Sequence, residues 1–304
     1  MKLINLFTKS EYAICYRFSD KDILDDIDTE YKLLMPTKKE WYADPFVYFH
    51  NDEIYVFMEV MFTDKGYAGL GYSKLVNGKL TAPKVIIDYG QHMSFPFIFD
   101  YNGQIYLIPE TRAEKKIKLY RCVEFPEKWE EIHHIDDDRA LYDSVVFENN
   151  GCRFMFTSEE RLDVMYGSIL YLLELEADTM TPKIISDTKI TDDCQFARQA
   201  GKMLHKNGKL IRVAQDCSKK EYGRALEFLE VDNLEPENYS EHLIKHISPA
   251  DLRYEKRIHG KMGVHTYNRE NNFEVIDLRL ARFSLSATLK KIKIVFDMLL
   301  SKLR

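Results

Sequence analysis

Carboxylate side chains recur at matching positions of a repeated sequence unit. Asp44 and Glu59 stand at the two ends of the first unit, fifteen positions apart, and Glu110 ends the second unit in the same way. Carboxyl groups that share one pocket shift each other's pKa and can act as general base and general acid. Each carboxylate taken alone is better explained as a strand cap or as the partner of an arginine in the neighbouring unit. Their convergence as a group predicts a functional pocket.

The units that carry these residues have the pattern of β-hairpins. Each contains an apolar strand, a turn of Asn, Asp or Gly, and a second apolar strand. The first unit, Asp44–Glu59, aligns with Phe95–Glu110 at an offset of 51 residues. The pattern returns in three later segments, which are Asp143–Ser158, Ala200–Gln215 and His265–Asp277.

Further strand-like segments follow the first three hairpins, at Leu70–Leu75, Ile117–Arg121 and Ile169–Glu174. Five units with a period near 50 residues predict an all-β fold, a five-bladed β-propeller over residues 1–283. A β-sandwich is the alternative, but sandwiches seldom repeat their hairpins at constant spacing. Tyr12–Arg17 is expected to close the ring against the last blade. In a propeller, the first and last residues of each hairpin lie at one rim, which would bring the carboxylates together.

Composition limits the class of protein. The chain has 304 residues with 45% hydrophobic and 13% aromatic residues and a net charge of −6, as expected for a strand-rich globular protein. It has no apolar run of the roughly 20 residues that span a bilayer, and we expect no signal peptide. Five cysteines without a CxxC pair predict buried, reduced thiols in a cytoplasmic protein. We predict no metal and no certain cofactor, and the acidic body argues against nucleic-acid binding.

The C-terminal segment, residues 284–304, has a different character. Leu, Ile and Phe recur there at three- and four-residue steps beside basic residues, which predicts an amphipathic α-helix. We expect this helix to bind an anionic membrane surface peripherally, on the cytoplasmic face of the membrane. Docking on the propeller and binding to a partner are the alternatives. The expected membrane contacts are Lys290, Lys291, Lys293, Phe296, Leu299 and Lys302.

Several motifs together resemble a known family. They are Trp41–Phe46, His92–Phe97, Ile108–Thr111, Arg198–Gly201, Gln215–Cys217, Tyr222–Gly223 and His265–Tyr267. In order and spacing they resemble the propeller domain at the N-terminus of plant glucosamine inositolphosphorylceramide transferases and of related bacterial proteins. Tyr42–Phe46 and Tyr142–Phe147 are also similar to motifs of the family-43 clan of glycoside hydrolases, which are five-bladed propellers. This resemblance implies that Asp44 is a general base and that Asp143 is a second catalytic carboxylate, which tunes the acid.

The sequence departs from the hydrolase pattern at the general acid. In the hydrolases a glutamate that opens the fourth blade protonates the leaving oxygen, and Gln199 stands at that position here. Inverting glycosidases need one carboxyl group to deprotonate water and another to protonate the leaving group. Because a glutamine amide cannot supply that proton, we expect ordinary glycosidase chemistry to be impaired.

The chemistry that remains is transfer from a sugar whose leaving group is already a stable anion, such as a nucleotide-linked or lipid-linked phosphate. Arg198, Arg212 and His265 would supply positive charge for that phosphate, while Asp44 accepts the proton of the attacking hydroxyl. Salt bridges to nearby carboxylates explain the two arginines equally well. The predicted substrate-binding residues are Trp41, Tyr42, Glu59, His92, Ser94, Glu110, Arg198, Gln199, Arg212, Gln215, Asp216, Tyr222, His265 and Asp277.

Together these points predict a membrane-peripheral, inverting glycosyltransferase that acts in cell-surface polysaccharide or glycolipid synthesis. The donor is an activated, phosphate-linked sugar, and analogy with the related hydrolases favours a furanose. The expected acceptor is a glycan or a lipid-linked glycan. Two alternatives stay open: a hydrolase whose acid is another residue such as Glu110 or Glu159, and a sugar-binding propeller without catalysis.

Overall fold

The computed structural model describes residues 8–176 and 184–284, together with Thr288. Over these residues the chain forms five antiparallel sheets, each built mainly from strands that are consecutive in sequence. The sheets are the blades of a propeller, so the predicted all-β, five-bladed architecture is confirmed. The strand-like segments predicted after the first three hairpins lie in the third strand of their blades.

The first three blades are formed by residues 40–191. Blade one contains β3 (Glu40–His50), β4 (Glu53–Phe62), β5 (Tyr67–Val76), β6 (Lys79–Leu80) and β7 (Lys84–Ile87). Blade two contains β8 (Ser94–Tyr101), β9 (Gln104–Glu110), β10 (Lys116–Glu124) and β11 (Lys128–Asp136). Blade three contains β12 (Tyr142–Asn149), β13 (Cys152–Arg161), β14 (Gly167–Leu175) and β15 (Ile184–Thr191).

The last two blades use both ends of the described chain. Blade four contains β16 (Leu204–Lys206), β17 (Lys209–Asp216), β18 (Ala225–Asn233) and β19 (Ser240–Ile247). Blade five contains β20 (Lys261–Gly263), β21 (Tyr267–Glu270) and β22 (Phe273–Phe283), completed by β1 (Thr8–Phe18) and β2 (Lys32–Leu34).

The N-terminal strand closes the ring, as predicted. β1 pairs antiparallel with β22 along its whole length, from Thr8 opposite Phe283 to Phe18 opposite Phe273. A buried ion pair between Arg17 and Glu274 joins the two strands at the end away from the β22 C-terminus. The pairing joins the N-terminal strand to the last strand of the propeller within one blade.

The inner strands of the first three blades share a kink near one rim. Asp44, Phe95 and Asp143 have positive φ angles of 49°, 47° and 52°. The strand pairing shifts register at each of these residues, which is the mark of a β-bulge. The bulge turns the side chain out of the regular alternation, and aspartate tolerates a positive φ better than most residues. Two aspartates are thereby directed away from the blade faces at equivalent positions.

Aromatic side chains fill the spaces between the blades. The rings of Phe46 in blade one and Phe95 in blade two lie edge to face, with their centroids 4.9 Å apart. The rings of Phe228 in blade four and Tyr267 in blade five lie 5.4 Å apart. All four side chains are fully buried. Burial of each such side chain stabilises the folded state by roughly 1.5–3 kcal/mol. The packed blades therefore hold the rim residues in fixed positions.

Two predictions about the rest of the chain have separate outcomes. The amphipathic helix predicted for residues 284–304 lies outside the described residues, apart from Ser284 and Thr288. Among the described residues, no helix combines the length and apolar character that crossing a bilayer requires. The five thiols are free, but only Cys15 and Cys217 are buried, so the expectation of uniformly buried thiols is wrong; Cys152 is exposed.

Candidate active site

A cavity of about 370 Å³ opens at the rim where the bulged residues lie. All five blades contribute to its wall. The residues that line it are Tyr12, Trp41, Asp44, Glu59, Met61, His92, Ser94, Glu110, Arg112, Tyr142, Glu160, Tyr166, Gly167, Arg198, Tyr222 and His265. Strand pairing explains why the carboxylates meet there, because Ala43 lies opposite Glu59 and Ser94 lies opposite Glu110. The predicted convergence at one rim is therefore observed.

Asp44 is held in place by hydrogen bonds to both of its oxygens. Oδ1 accepts a hydrogen bond of 2.8 Å from the Thr266 hydroxyl, and Oδ2 accepts one of 3.2 Å from the Phe95 backbone N–H. Burial raises the pKa of Asp44, and the nearby His265 opposes part of this rise. A carboxylate with a raised pKa is a stronger base, and its fixed position suits it to accept a proton from a bound hydroxyl.

His265 lies beside Asp44 and is oriented from behind by Asp277. The Nδ1 atom of His265 contacts a carboxylate oxygen of Asp277 and lies 3.8 Å from Asp44 Oδ1. Asp277 is fully buried and also accepts a hydrogen bond of 3.1 Å from the backbone N–H of Asp44. Burial lowers the pKa of His265, but the charge and hydrogen bond of Asp277 outweigh this and raise it overall. The arrangement favours the imidazolium form next to the base.

Arg198 presents a cationic group to the opposite side of the cavity. Its Nε atom donates a hydrogen bond of 2.7 Å to Asp143, which is almost fully buried behind it. The guanidinium lies 4.5 Å from the ring centre of Tyr142 and 4.9 Å from that of Tyr222. Burial raises the pKa of Asp143 to about 7, against the lowering effect of Arg198. Among the described residues the two terminal nitrogens of Arg198 have no hydrogen-bond partner, so they can bind an anionic ligand.

Two glutamates complete the polar wall. Glu110 accepts a hydrogen bond of 3.0 Å from the Ser94 hydroxyl and lies 3.3 Å from Arg112 Nε. Burial, together with the charges of Asp44 and Glu110, raises the pKa of Glu59 well above its usual value. Glu59 is thus favoured in its neutral form, which can donate a proton. Glu59 therefore joins Glu110 and Glu159 as a candidate proton donor, and the expectation that the site does not protonate a leaving oxygen stays a prediction.

Seven predicted site residues do not line the cavity. They are Tyr42, Asp143, Gln199, Arg212, Gln215, Asp216 and Asp277. Two of them, Asp143 and Asp277, act indirectly because they hold Arg198 and His265. Asp216 is fully buried and pairs with Arg224.

The prediction for Arg212 is wrong. Its guanidinium is fully buried and donates hydrogen bonds of 2.8 and 2.6 Å to Glu241 and one of 2.9 Å to the Phe196 carbonyl. Arg212 lies in the interior of β17, three residues before the rim residue Gln215. At about 3.3 Å per strand residue, that places it roughly 10 Å below the rim.

Gln199 stands at the strand position predicted for it but turns away from the cavity. The Gln215 backbone N–H bonds to the Arg198 carbonyl, as expected if residue 199 matches Asp44 and Asp143. Gln199 lacks their positive φ, and its amide donates to the Gly201 carbonyl at 2.9 Å. Gln215 in turn donates to the Gln199 carbonyl and to Asp143. The side-chain amides of Gln199 and Gln215 thus connect blade four to the site by hydrogen bonds, although neither residue lines the cavity.

Sequence reasoning missed several wall residues. Tyr12 comes from the closing strand β1, and its ring stacks on His265 with 4.7 Å between the centroids. Arg112 follows β9, and Tyr166 belongs to the loop between β13 and β14. The others are Met61, Tyr142, Glu160 and Gly167. None occupies the repeat position that identified the carboxylates, although Tyr142 directly precedes Asp143 and could have been found from that motif.

Asp44, His265 and Asp277 are also the most buried group of potential metal ligands in the described chain. One ligand atom from each lies within 4.8 Å of the others. His265 Nδ1 and a carboxylate oxygen of Asp277 contact each other directly, so two of these three ligand atoms already have a partner. Nothing in this geometry requires a metal, and the chemistry below uses the side chains alone.

A family model described as glucosamine inositolphosphorylceramide transferase 1, N-terminal, matches residues 34–278. The match covers most of the chain. The chain belongs to this family. Among curated proteins, it is similar to glucosamine inositolphosphorylceramide transferase 1 of Arabidopsis thaliana, with 27% identity over 79% of this chain and 31% of that protein. The enzyme of the same name from Oryza sativa subsp. indica is 28% identical over 66% of this chain and 27% of that protein.

Solved structures support the fold. The catalytic domain of the Coprinopsis cinerea GH62 α-L-arabinofuranosidase matches with a TM-score of 0.62 and 9% identity, over 91% of this chain and 98% of that one. An α-L-arabinofuranosidase from Lactobacillus brevis matches with a TM-score of 0.52 and 17% identity, over 75% of this chain and 78% of that one. At these identities the likeness concerns the propeller fold alone.

The family domain accounts for less than a third of each curated relative. The chain spans 31% and 27% of the lengths of the Arabidopsis and rice proteins. The names of those proteins describe glycosyltransferases, but they do not say which part of the relatives carries out the transfer. The residues of the cavity are therefore the basis for the reaction that we propose for this chain.

Proposed function

We propose that this chain is an inverting glycosyltransferase that uses Asp44 as its general base. The observation that carries the proposal is a buried carboxylate of raised pKa, Asp44, in a cavity that also contains the cationic Arg198. The glycosyltransferase names of the relatives support this reaction class.

In the proposed reaction, an acceptor hydroxyl gives its proton to Asp44 as its oxygen attacks the anomeric carbon of the donor. The bond between that carbon and the phosphate oxygen breaks, and the phosphate leaves with the electron pair. The terminal nitrogens of Arg198 bind the departing phosphate, since a planar guanidinium matches phosphate oxygens. The rings of Trp41, Tyr12 and Tyr222 line the same cavity and provide apolar surfaces for the faces of a sugar.

The proposed substrate class is taken from the names of the relatives. The name of these relatives supports glucosamine as the transferred sugar and inositolphosphorylceramide as the acceptor. A furanosyl donor is a second proposal, which rests on fold analogy alone. A lipid-linked acceptor agrees with peripheral attachment to the cytoplasmic face of a membrane through residues 284–304. The expected role is synthesis of a cell-surface polysaccharide or glycolipid.

The direct test compares Asp44→Asn with Asp100→Asn. Donor consumption is measured with a panel of nucleotide-diphosphate sugars and lipid-phosphate sugars, including glucosamine donors. Asp44→Asn should reduce transfer at least 10²-fold, the usual size of a general-base contribution. Asp100 lines a separate cavity with residues of all five blades, so Asp100→Asn is a matched control that should leave transfer unchanged. Full transfer by Asp44→Asn would disprove the proposal.

A second candidate, hydrolysis of glycosides, is favoured by one observation. The raised pKa of Glu59 gives the cavity a neutral carboxylic acid in addition to the base Asp44. Both line one cavity, as the two carboxyl groups of a glycosidase must. Reducing sugar released from oligosaccharides, without any phosphate-linked donor, would favour this candidate. Glycan binding without turnover would indicate a sugar-binding propeller.

A further inference from the structure

The cavity opens on one side of the propeller, which we call the pocket face. It includes the cavity mouth and the connections that follow β9, β13 and β17. Three of the four large apolar side chains that are more than 60% exposed among the described residues lie on this side. They are Leu162, Met165 and Phe283, with exposed fractions of 92%, 61% and 72%. The fourth, Val123, lies at the opposite end of the blades, near the end of β10.

The β13–β14 loop forms the apolar part of the cavity mouth. Tyr166 and Gly167 line the cavity, while Leu162 and Met165 of the same loop extend into solvent. Arg161 and Asp163 pair with each other at 2.8 Å, so the one acidic side chain within the loop is neutralised. Exposed apolar side chains grouped beside a binding cavity mark a surface that another apolar phase covers.

The polypeptide leaves the described structure on the same side. β22 runs from the far end of blade five past Asp277 at the rim and ends at Phe283. The residues that follow include the basic and apolar side chains of the predicted amphipathic segment, among them Lys290, Lys291 and Lys293. The described chain therefore leads into this segment from the side of the pocket face.

The connection that follows β17 keeps a net positive charge, because Lys219 and Lys220 outnumber the acidic Glu221. Lys219 and Lys220 lie in the short turn between β17 and β18, directly before the cavity residue Tyr222. Both lysines are exposed, and no ion-pair partner is found for either among the described residues. Basic residues near an anionic membrane contribute on the order of 1 kcal/mol each to binding.

We infer that the pocket face lies against an anionic lipid bilayer, with Leu162 and Met165 of the β13–β14 loop inserted among the lipids. The cavity then opens toward the membrane surface, where the headgroup of a lipid-linked substrate can enter it without leaving the bilayer. This inference rests on the membrane association in the proposed function and adds its orientation. The residues of the loop act in binding and take no part in the chemical step.

The test uses the full chain and vesicles of phosphatidylcholine mixed with phosphatidylserine. Tryptophan is introduced by Leu162→Trp or, as a matched control, by Val123→Trp, and some vesicles carry bromine on their acyl chains. The added fluorescence of Leu162→Trp should shift to the blue and be quenched by the brominated lipid, because only an inserted indole reaches the acyl chains. The added fluorescence of Val123→Trp should not change.

A second measurement uses charged variants. Leu162→Glu combined with Met165→Glu should weaken vesicle partitioning roughly tenfold, whereas Val123→Glu should leave it unchanged. Unquenched Leu162→Trp on vesicle-bound protein, or no binding of the chain to these vesicles, would overturn the inference. Neither experiment contains a donor or an acceptor, so its failure is distinct from a failure of Asp44 chemistry.

Discussion

At the scale of single residues, the main feature is that neighbouring carboxyl groups have different environments. Asp44 accepts hydrogen bonds from the Thr266 hydroxyl and the Phe95 backbone N–H, and His265 Nδ1 lies 3.8 Å from it. Glu59 has the imidazole of His92 at 3.8 Å and four other carboxylates nearby, and its pKa is raised well above its usual value. Different environments for two carboxyl groups of one cavity are typical of a site that uses one as base and one as acid. In the proposed reaction Asp44 is the base, and the role of Glu59 distinguishes transfer to an acceptor from hydrolysis.

Glu59→Gln answers that question. If the leaving group is a phosphate, it needs no proton, so the variant should keep donor consumption within about tenfold of the parent chain. A general acid contributes about 10²–10⁴-fold, and a loss of that size would show that Glu59 protonates the leaving oxygen. Glu159→Gln is a suitable control, because Glu159 accepts a hydrogen bond from Tyr171 and lies outside the cavity wall. The measurement is the initial rate of donor consumption.

At the scale of elements, the repeated hairpin explains what the sequence could predict. Asp44, Glu59 and Glu110 were found because strand ends at equivalent repeat positions must share one rim. Tyr12 and Tyr166 were not found because a closing strand and a loop have no repeat position. The sequence prediction places Arg212 in the site because it ignores how far below the rim a residue in the middle of a strand lies. Repeats predict strands and rims well, whereas depth and loop direction depend on tertiary packing.

Close contact between blades four and five gives a test of the packing. Gly201 has a φ of 150°, and a Cβ atom there would lie 2.0 Å from the Tyr267 carbonyl oxygen. Gly201→Ala should lower the free energy of unfolding by roughly 2–4 kcal/mol, because backbone atoms have to move apart. Gly208→Ala is the control: its φ is 76° and a Cβ atom would have open space, so only the backbone conformation costs about 1 kcal/mol. Urea denaturation measures both; equal losses would contradict the described contact.

At the scale of the whole molecule, the buried carboxyl groups of the cavity lower the free energy of unfolding by an amount that depends on pH. Burial raises the pKa values of Asp44, Glu59 and Asp143, the last to about 7. The folded chain therefore binds more protons than the unfolded chain between about pH 4 and pH 7. Stability is greatest at the acidic end of this window and is lost as the pH rises through the folded pKa values. Buried carboxylates lower the folding stability, and such a loss is expected at a functional site whose chemistry needs them.

The free energy of unfolding should accordingly fall as the pH rises from 4.5 to 7, by on the order of 1 kcal/mol per pH unit. Urea denaturation at several pH values measures this slope, and Asp143→Asn should make it shallower because one of the raised carboxyl groups is removed. A stability that is constant or that rises over this range would contradict the described burial of the three carboxyl groups.

The role of Asp44 as a base can be tested most directly with azide as the acceptor. Azide attacks the anomeric carbon without giving up a proton, so a chain that lacks the base can still use it. With Asp44→Ala, consumption of the phosphate-linked donor should be lost with an alcohol acceptor and restored by added azide, with the glycosyl azide as product. If azide restores nothing while the variant still folds and binds the donor, or if the variant transfers to an alcohol as well as the parent chain does, Asp44 is not the base.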